Sequence, residues 1–250
     1  MPASDEQPWS GLHHLGRNYD AGRAVSTFEY FFENIRPNLV EIPALPTIEN
    51  LSNGWLSGRI MIRYAVRAEM HFRFAVGRHY VEIKEGAFGF VLMRDDLESM
   101  IYFMRRAVDQ IVQSYCLKFS EVKNKIDVPT IGAALGLRRN GSDKHPELQD
   151  ILFGNSSDKI SDDSGFLDVL DEISNSYKHG FLTSESDNYR SIEYPNIVIF
   201  DYKYNKFDTV PVIHNHNAFH LMMGFQDAIR RILKNAEALP VAWSGAQRAI

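Results

Sequence analysis

The sequence predicts a mainly α (α+β) protein, a helical bundle with two short β-hairpins. Three observations carry that prediction. Several long segments repeat apolar residues at helical intervals, two pairs of short β-branched and aromatic runs flank turn residues, and no internal repeat or linker divides the chain.

The first helix is predicted over residues 21–35, where Phe28, Tyr30, Phe31 and Phe32 concentrate aromatic side chains before Pro37 blocks continuation. Pro43 and Pro46 then make 37–53 irregular. From Ile60 to Val76 apolar and polar residues alternate, as they would in a strand. An unbroken strand of that length would be far longer than usual, and no Gly, Pro, Asn or Asp is present to turn a hairpin, so the segment is expected as a helix. Met61, Tyr64, Ala65, Ala68, Phe72 and Ala75 then share one side, with Arg59, Arg63, Arg67 and Arg73 on the other.

Tyr80-Val81-Glu82-Ile83 and Phe88-Gly89-Phe90-Val91-Leu92 read as two strands about a Glu85-Gly86 turn. The strongest helix follows, with Asp95 and Glu98 at capping-box spacing and Leu97, Ile101, Met104, Val108, Ile111 and Tyr115 at helical intervals to about Lys118. Shorter helices are expected over 130–137 and 146–153, the second opened by Pro146. Over 164–179, Phe166, Val169, Leu170, Ile173 and Tyr177 form an apolar stripe that stops at Gly180. A second hairpin is predicted from Ile197–Tyr202 and Asp208–Ile213, then a final helix over 217–236 capped by Asn215 or Asn217.

Composition bounds the function. Of 250 residues, 44% are hydrophobic and 24% charged, and 27 Lys plus Arg against 32 Asp plus Glu give a net charge of −5, so a global basic field for nucleic acid or anionic membrane is absent. Cys116, the single cysteine, is read as excluding an internal disulfide framework and a Cys-based structural zinc site; it is expected as a buried small hydrophobe in a reducing compartment. The first residues lack the basic start and apolar core of a secretory signal, and no apolar run approaches the roughly 20 residues of a membrane helix. A cytoplasmic protein without membrane association is expected, with residues 1–20 as an arm and 21–250 as a single domain.

Asp171-Glu172-Ile173-Ser174-Asn175-Ser176-Tyr177-Lys178-His179-Gly180 is the most informative segment. Asn175 and His179 fall one turn apart on the same helix face with Lys178 beside them, which brings an amide, an imidazole and a cation to a helix end. A long helix, loops, and a second helix ending in Asn-x-x-Lys-His resemble the HEPN-domain superfamily, helical proteins that commonly dimerise and include metal-independent endoribonucleases. The resemblance implies a homodimer that binds RNA or a nucleotide. In catalytic members an Arg and a polar residue precede the His; here the polar residue is Asn175 and the His is His179, but the Arg position holds Ser174. Ser174 cannot supply positive charge at a developing phosphorane, so a binding protein without efficient catalysis is expected. The alternative is a metal-independent endoribonuclease, a toxin or defence effector, with His179 as base, Asn175 beside it and Lys178 or an arginine from elsewhere as cation. A helix-end role for Lys178 and His179, opposite the negative end of the dipole, is the simpler reading of the same residues.

Residues 59–80 hold five Arg and one Glu, a formal balance of +4 in an acidic chain. Arg59, Arg63, Arg67 and Arg73 are therefore the candidate nucleic-acid contacts, unless they pair with the six carboxylates of 158–172. Arg73 and His79 also have Arg–His spacing, although Phe74 replaces the polar residue and Gly77 is expected to interrupt the helix. His214, His216 and His220 suggest a metal-dependent class, since two histidines four apart on a helix can share an ion. No Glu completes a zinc-protease pattern and His214 is placed on the preceding strand, so a structural role is expected, with no metal and no cofactor. No phosphate-binding Gly-rich loop or nucleophile elbow is present.

Overall fold

The computed structural model describes residues 53–85, 90–119, 126–179, 194–201 and 212–237. Six helices and one hairpin are formed: α1 (Asn53–Glu85), α2 (Phe90–Phe119), α3 (Ile131–Arg139), α4 (Pro146–Phe153), α5 (Phe166–His179), β1 (Asn196–Asp201), β2 (Val212–Asn217) and α6 (Ala218–Glu237). The protein is mainly α with a short antiparallel hairpin, as its periodicity implies. The helix expected over 21–35 and the arm over 1–20 lie outside the described residues.

α1 and α2 form a long antiparallel helical hairpin. Arg78 and His71 reach Asp96, while Tyr64 meets Phe103 and Arg106, so ascending positions on one helix meet descending positions on the other. At 33 residues α1 is roughly 50 Å long. Its buried face, Met61, Ala65, Ala68, Phe72, Ala75 and Val76, follows the helical reading of the ambiguous alternating segment, and its three alanines keep that face narrow where α2 buries the bulkier Met100, Ile101 and Met104.

The first predicted hairpin does not form. Tyr80–Ile83 continues α1, Phe90–Leu92 opens α2, and Gly77 lies within an uninterrupted helix. Val76, Tyr80 and Ile83, and then Phe90, Met93 and Leu97, fit helical spacing as well as a strand. Extending adjoining helices gains one hydrogen bond per residue without a new nucleus, and this prevails over local β propensity. The capping box fails for the same reason: Asp95 and Glu98 are exposed within α2 rather than at its start.

The later elements follow local signals closely. Thr130 caps α3, its Oγ1 accepting from Ala133 N at 3.2 Å, and Pro146 opens α4. Asn217, rather than Asn215, caps α6 by accepting from Phe219 N at 3.0 Å, and its Nδ2 donates to Asn196 Oδ1 at 3.1 Å. The hairpin pairs Ile197 with His216 and Ile199 with His214, and it buries both isoleucines. Its second strand runs later than expected, over Val212–Asn217.

One core spans the six helices and β1 among the described residues. At its centre, Arg105 of α2 donates through Nε to Asp109 Oδ1 at 3.0 Å and through Nη1 to Asp171 of α5. Asp109 Oδ1 also accepts Ile131 N at 2.8 Å, which fixes the start of α3. A Cβ on Gly132 would stand 2.8 Å from Asp171 Oδ1, so glycine lets α3 approach that carboxylate. Gly154, at φ +65°, ends α4 where a Cβ would overlap the Ile160 carbonyl. Asn235 holds the same loop, accepting Ile160 N at 2.8 Å and donating to Ile160 O at 2.9 Å.

Candidate nucleic-acid interface

The exposed residues among 60–80 are Arg63, Arg67, Met70 and Phe74, spaced four, three and four apart, which is one stripe along α1. Beside it α2 presents Tyr102, Phe103 and Arg106. Tyr64 and His71 stack on Phe103 with centroids 6.1 and 5.5 Å away, and Tyr102 meets Phe103 edge-on at 5.2 Å. Arg67 lies over Phe103 at 5.3 Å and Arg106 over Tyr64 at 5.5 Å. Contact with the Tyr64 oxygen holds the Arg106 guanidinium above its ordinary pKa, against desolvation. Phe74 and Tyr102 retain 49% and 47% exposure, leaving open ring surface beside the guanidinium groups.

The four predicted arginines divide. Arg63 and Arg67 are exposed and have no carboxylate partner among the described residues. Arg73 pairs with the buried Glu69 one turn earlier, so its charge is matched. Arg59 lies on α1, but its side chain is outside the described residues. Arg78 donates to Asp96 Oδ2 at 2.6 Å, and His71 Nδ1 donates to Asp96 Oδ1 at 3.0 Å. His79 is buried, which removes the Arg73–His79 spacing as an open site.

The carboxylates of 158–172 do not neutralise the α1 stripe. Asp168 takes Arg139 at 2.6 Å, Asp162 takes Arg231 at 3.1 Å, and Asp171 takes Arg105. Sequence reasoning missed Asp96, Tyr64, Phe103 and Arg106, whose relevance depends on the pairing of two helices.

On α5, Asn175 and Lys178 are exposed, whereas Ser174 is 3% exposed and its Oγ has no hydrogen-bond partner among the described residues. Ser174 therefore faces the interior. His179 ends α5, and its side chain lies outside the described residues.

His214 and His216 share the face of β2 that turns toward the core, their rings 5.8 Å apart. His214 Nε2 is 4.0 Å from Glu172 Oε2, beyond hydrogen-bond reach. Burial, with His214 adding to it, lowers the pKa of His216. His220 is exposed on α6, so one face does not collect the three histidines.

A different set does converge. Cys116 Sγ, Asp127 and His145 Nε2 place one potential ligand atom each within 4.8 Å of the others. The Cys116 thiol donates to Asp127 Oδ1 at 3.0 Å, His145 Nε2 donates to Asp127 Oδ2 at 3.0 Å, and Val128 N donates to Sγ at 3.3 Å. Burial raises the thiol pKa, while the thiol and imidazole contacts lower that of Asp127. The expectation that Cys116 is a buried small side chain holds, but its polar partners were not anticipated. They are 11 and 29 residues away in sequence, with no spacing signature.

No described helix is long and apolar enough to cross a membrane. Comparison with protein-family models, curated proteins and solved structures finds no match to this chain.

Proposed function

We propose that this chain is a HEPN-like, homodimeric binding protein of a reducing, cytoplasmic compartment that associates with single-stranded RNA without efficient catalysis. The observation that carries the reading is the α1–α2 face, where Arg67 and Arg106 lie over Phe103 and Tyr64 beside exposed Arg63, Phe74 and Tyr102. Guanidinium groups supply phosphate contacts and open rings supply stacking surface, a combination that suits unpaired bases. The homodimer is carried over from the HEPN resemblance. Burial of Ser174 supports a non-catalytic role, because no cation occupies the superfamily's arginine position.

Fluorescence anisotropy of a labelled single-stranded RNA across a salt series tests this reading. Arg63→Glu with Arg67→Glu should weaken binding and reduce the log–log salt slope by about 0.7 per lost phosphate contact. Tyr102→Ala should lower affinity by about 1–3 kcal/mol for one stacked base and leave that slope unchanged. Absence of binding by the parent at low salt, or equal binding by the folded double variant, refutes the assignment. Light scattering at tens of micromolar should report a dimer; a concentration-independent monomer counts against the homodimer.

A further inference from the structure

We infer that Cys116, Asp127 and His145 form a three-ligand zinc site that fastens the end of α2 to the segments leading into α3 and α4. The three residues come from separate places: Cys116 from the last turns of α2, Asp127 from the stretch before α3, and His145 from the residue preceding α4. With Zn–S near 2.3 Å and Zn–N or Zn–O near 2.0–2.2 Å, tetrahedral coordination places neighbouring ligand atoms about 3.3–3.6 Å apart. To admit an ion, the present 3.0 Å contacts must lengthen by a few tenths of an ångström and a pair standing near the 4.8 Å limit must close by about 1.2 Å, shifts within the reach of side-chain rotation.

The backbone supplies an independent observation. His145 has φ 53° and ψ 53°, and it is the only non-glycine residue with positive φ among the described residues. Non-glycine residues are uncommon in that conformation, although histidine, like Asn and Asp, adopts it more readily than most. Here it turns the imidazole inward to 9% exposure, and the side chain makes no capping bond to α4. The conformation serves contact with Asp127 rather than the helix.

Donor chemistry selects the ion. Thiolate, imidazole and carboxylate together suit zinc rather than magnesium or calcium, which favour all-oxygen sites. Thiolate and carboxylate supply two negative charges to match Zn²⁺, and the Val128 N–H already points at Sγ, as a supporting donor to a bound thiolate would. Asp127, 39% exposed, leaves the fourth position to water. A cysteine-nucleophile reading fits less well. Asp127 stands between thiol and imidazole, so His145 bonds the carboxylate rather than the group it would need to deprotonate.

The experiment uses the full chain, dialysed free of metal and titrated with zinc against a chromophoric chelator, followed by elemental analysis. One equivalent of zinc should bind and raise the melting temperature in proportion to the logarithm of free zinc. Cobalt substitution should give a thiolate-to-metal charge-transfer band that Cys116→Ser abolishes. His145→Asn, which tolerates the left-handed backbone, should keep the fold and weaken zinc binding at least tenfold. No zinc uptake by the parent, or unchanged uptake by both variants, overturns the site. Uptake lost instead in His214→Gln would assign the ion to the hairpin and equally overturn it. RNA binding by the α1–α2 face is measured separately and decides nothing here.

Discussion

Replacing Arg105 with methionine is the most direct test of how the helices are held together. Arg105, Asp109 and Asp171 have side-chain exposures of 5%, 6% and 7%, so the change leaves two carboxylates buried without their shared cation. Asp109 keeps the Ile131 amide at 2.8 Å, whereas Asp171 loses its Arg105 contact next to Gly132. Breaking a buried ion pair by removing one partner costs about 3–5 kcal/mol, and methionine preserves most of the stem packing, so electrostatics should dominate. With a urea slope of roughly 1–3 kcal/mol/M, the midpoint should fall by at least about 1 M. Equilibrium urea unfolding followed by circular dichroism and tryptophan fluorescence measures this. Asp171→Asn added to Arg105→Met should recover part of the loss by removing one buried charge, so the two changes should be non-additive. A loss under about 1 kcal/mol, or simple additivity, would refute the claim that this cluster joins α2, α3 and α5.

Three further substitutions have opposite or pH-dependent effects. Gly154→Ala should lower the melting temperature by at least about 2 °C, because a left-handed alanine costs about 1–2 kcal/mol and its Cβ meets the Ile160 carbonyl. Gly136→Ala, within α3 and with open space around its Cβ position, should raise stability by up to about 1 kcal/mol; equal effects at the two glycines refute this reasoning. Since burial lowers the His216 pKa, the folded state binds this proton less readily than the unfolded chain. The corresponding stability is present above the unfolded histidine value of about 6.5 and declines as pH falls through the window below it. His216→Gln should flatten that part of a urea-midpoint profile, and an unchanged profile refutes the assignment.

How much was legible depended on the sequence distance over which the deciding interaction acts. Thr130, Pro146 and Asn217 fix helix starts through contacts within a few residues, and the stripe Phe166, Leu170, Ile173 defines α5 by itself. Tyr80–Ile83 and Phe90–Leu92 were misread because their short runs fit both periods; the choice was made by the helices on either side. The arginines of α1 were visible, but their availability was not. Glu69 four residues before Arg73 was a local signal that one charge would be matched, whereas the Arg78–Asp96 pair and the stacking on Phe103 required two helices to meet. Cys116, Asp127 and His145 carried no signal at all until the chain was folded.

The division of arginines between structure and surface bounds what the candidate interface can do. The Arg73–Glu69 pair already cancels within the formal +4 of residues 59–80, and Asp96, outside that stretch, matches Arg78 as well, so a ligand meets a smaller field than the +4 implies; Arg105, further along α2, is bound by Asp109 and Asp171. Arg63, Arg67 and Arg106 remain, in a chain whose net charge of −5 repels polyanions at longer range. Three phosphate contacts on a single strand give a salt slope of about 2, a weak electrostatic term that is largely screened at physiological ionic strength. Affinity must then depend on the open rings of Phe74 and Tyr102 as stacking surfaces, since Phe103 and Tyr64 are already covered by His71, Arg67 and Arg106, and this favours unpaired bases over duplex. A duplex of equal length should compete poorly with single-stranded RNA, and preference for the duplex would break the argument, since it would show that phosphate charge rather than ring surface carries recognition.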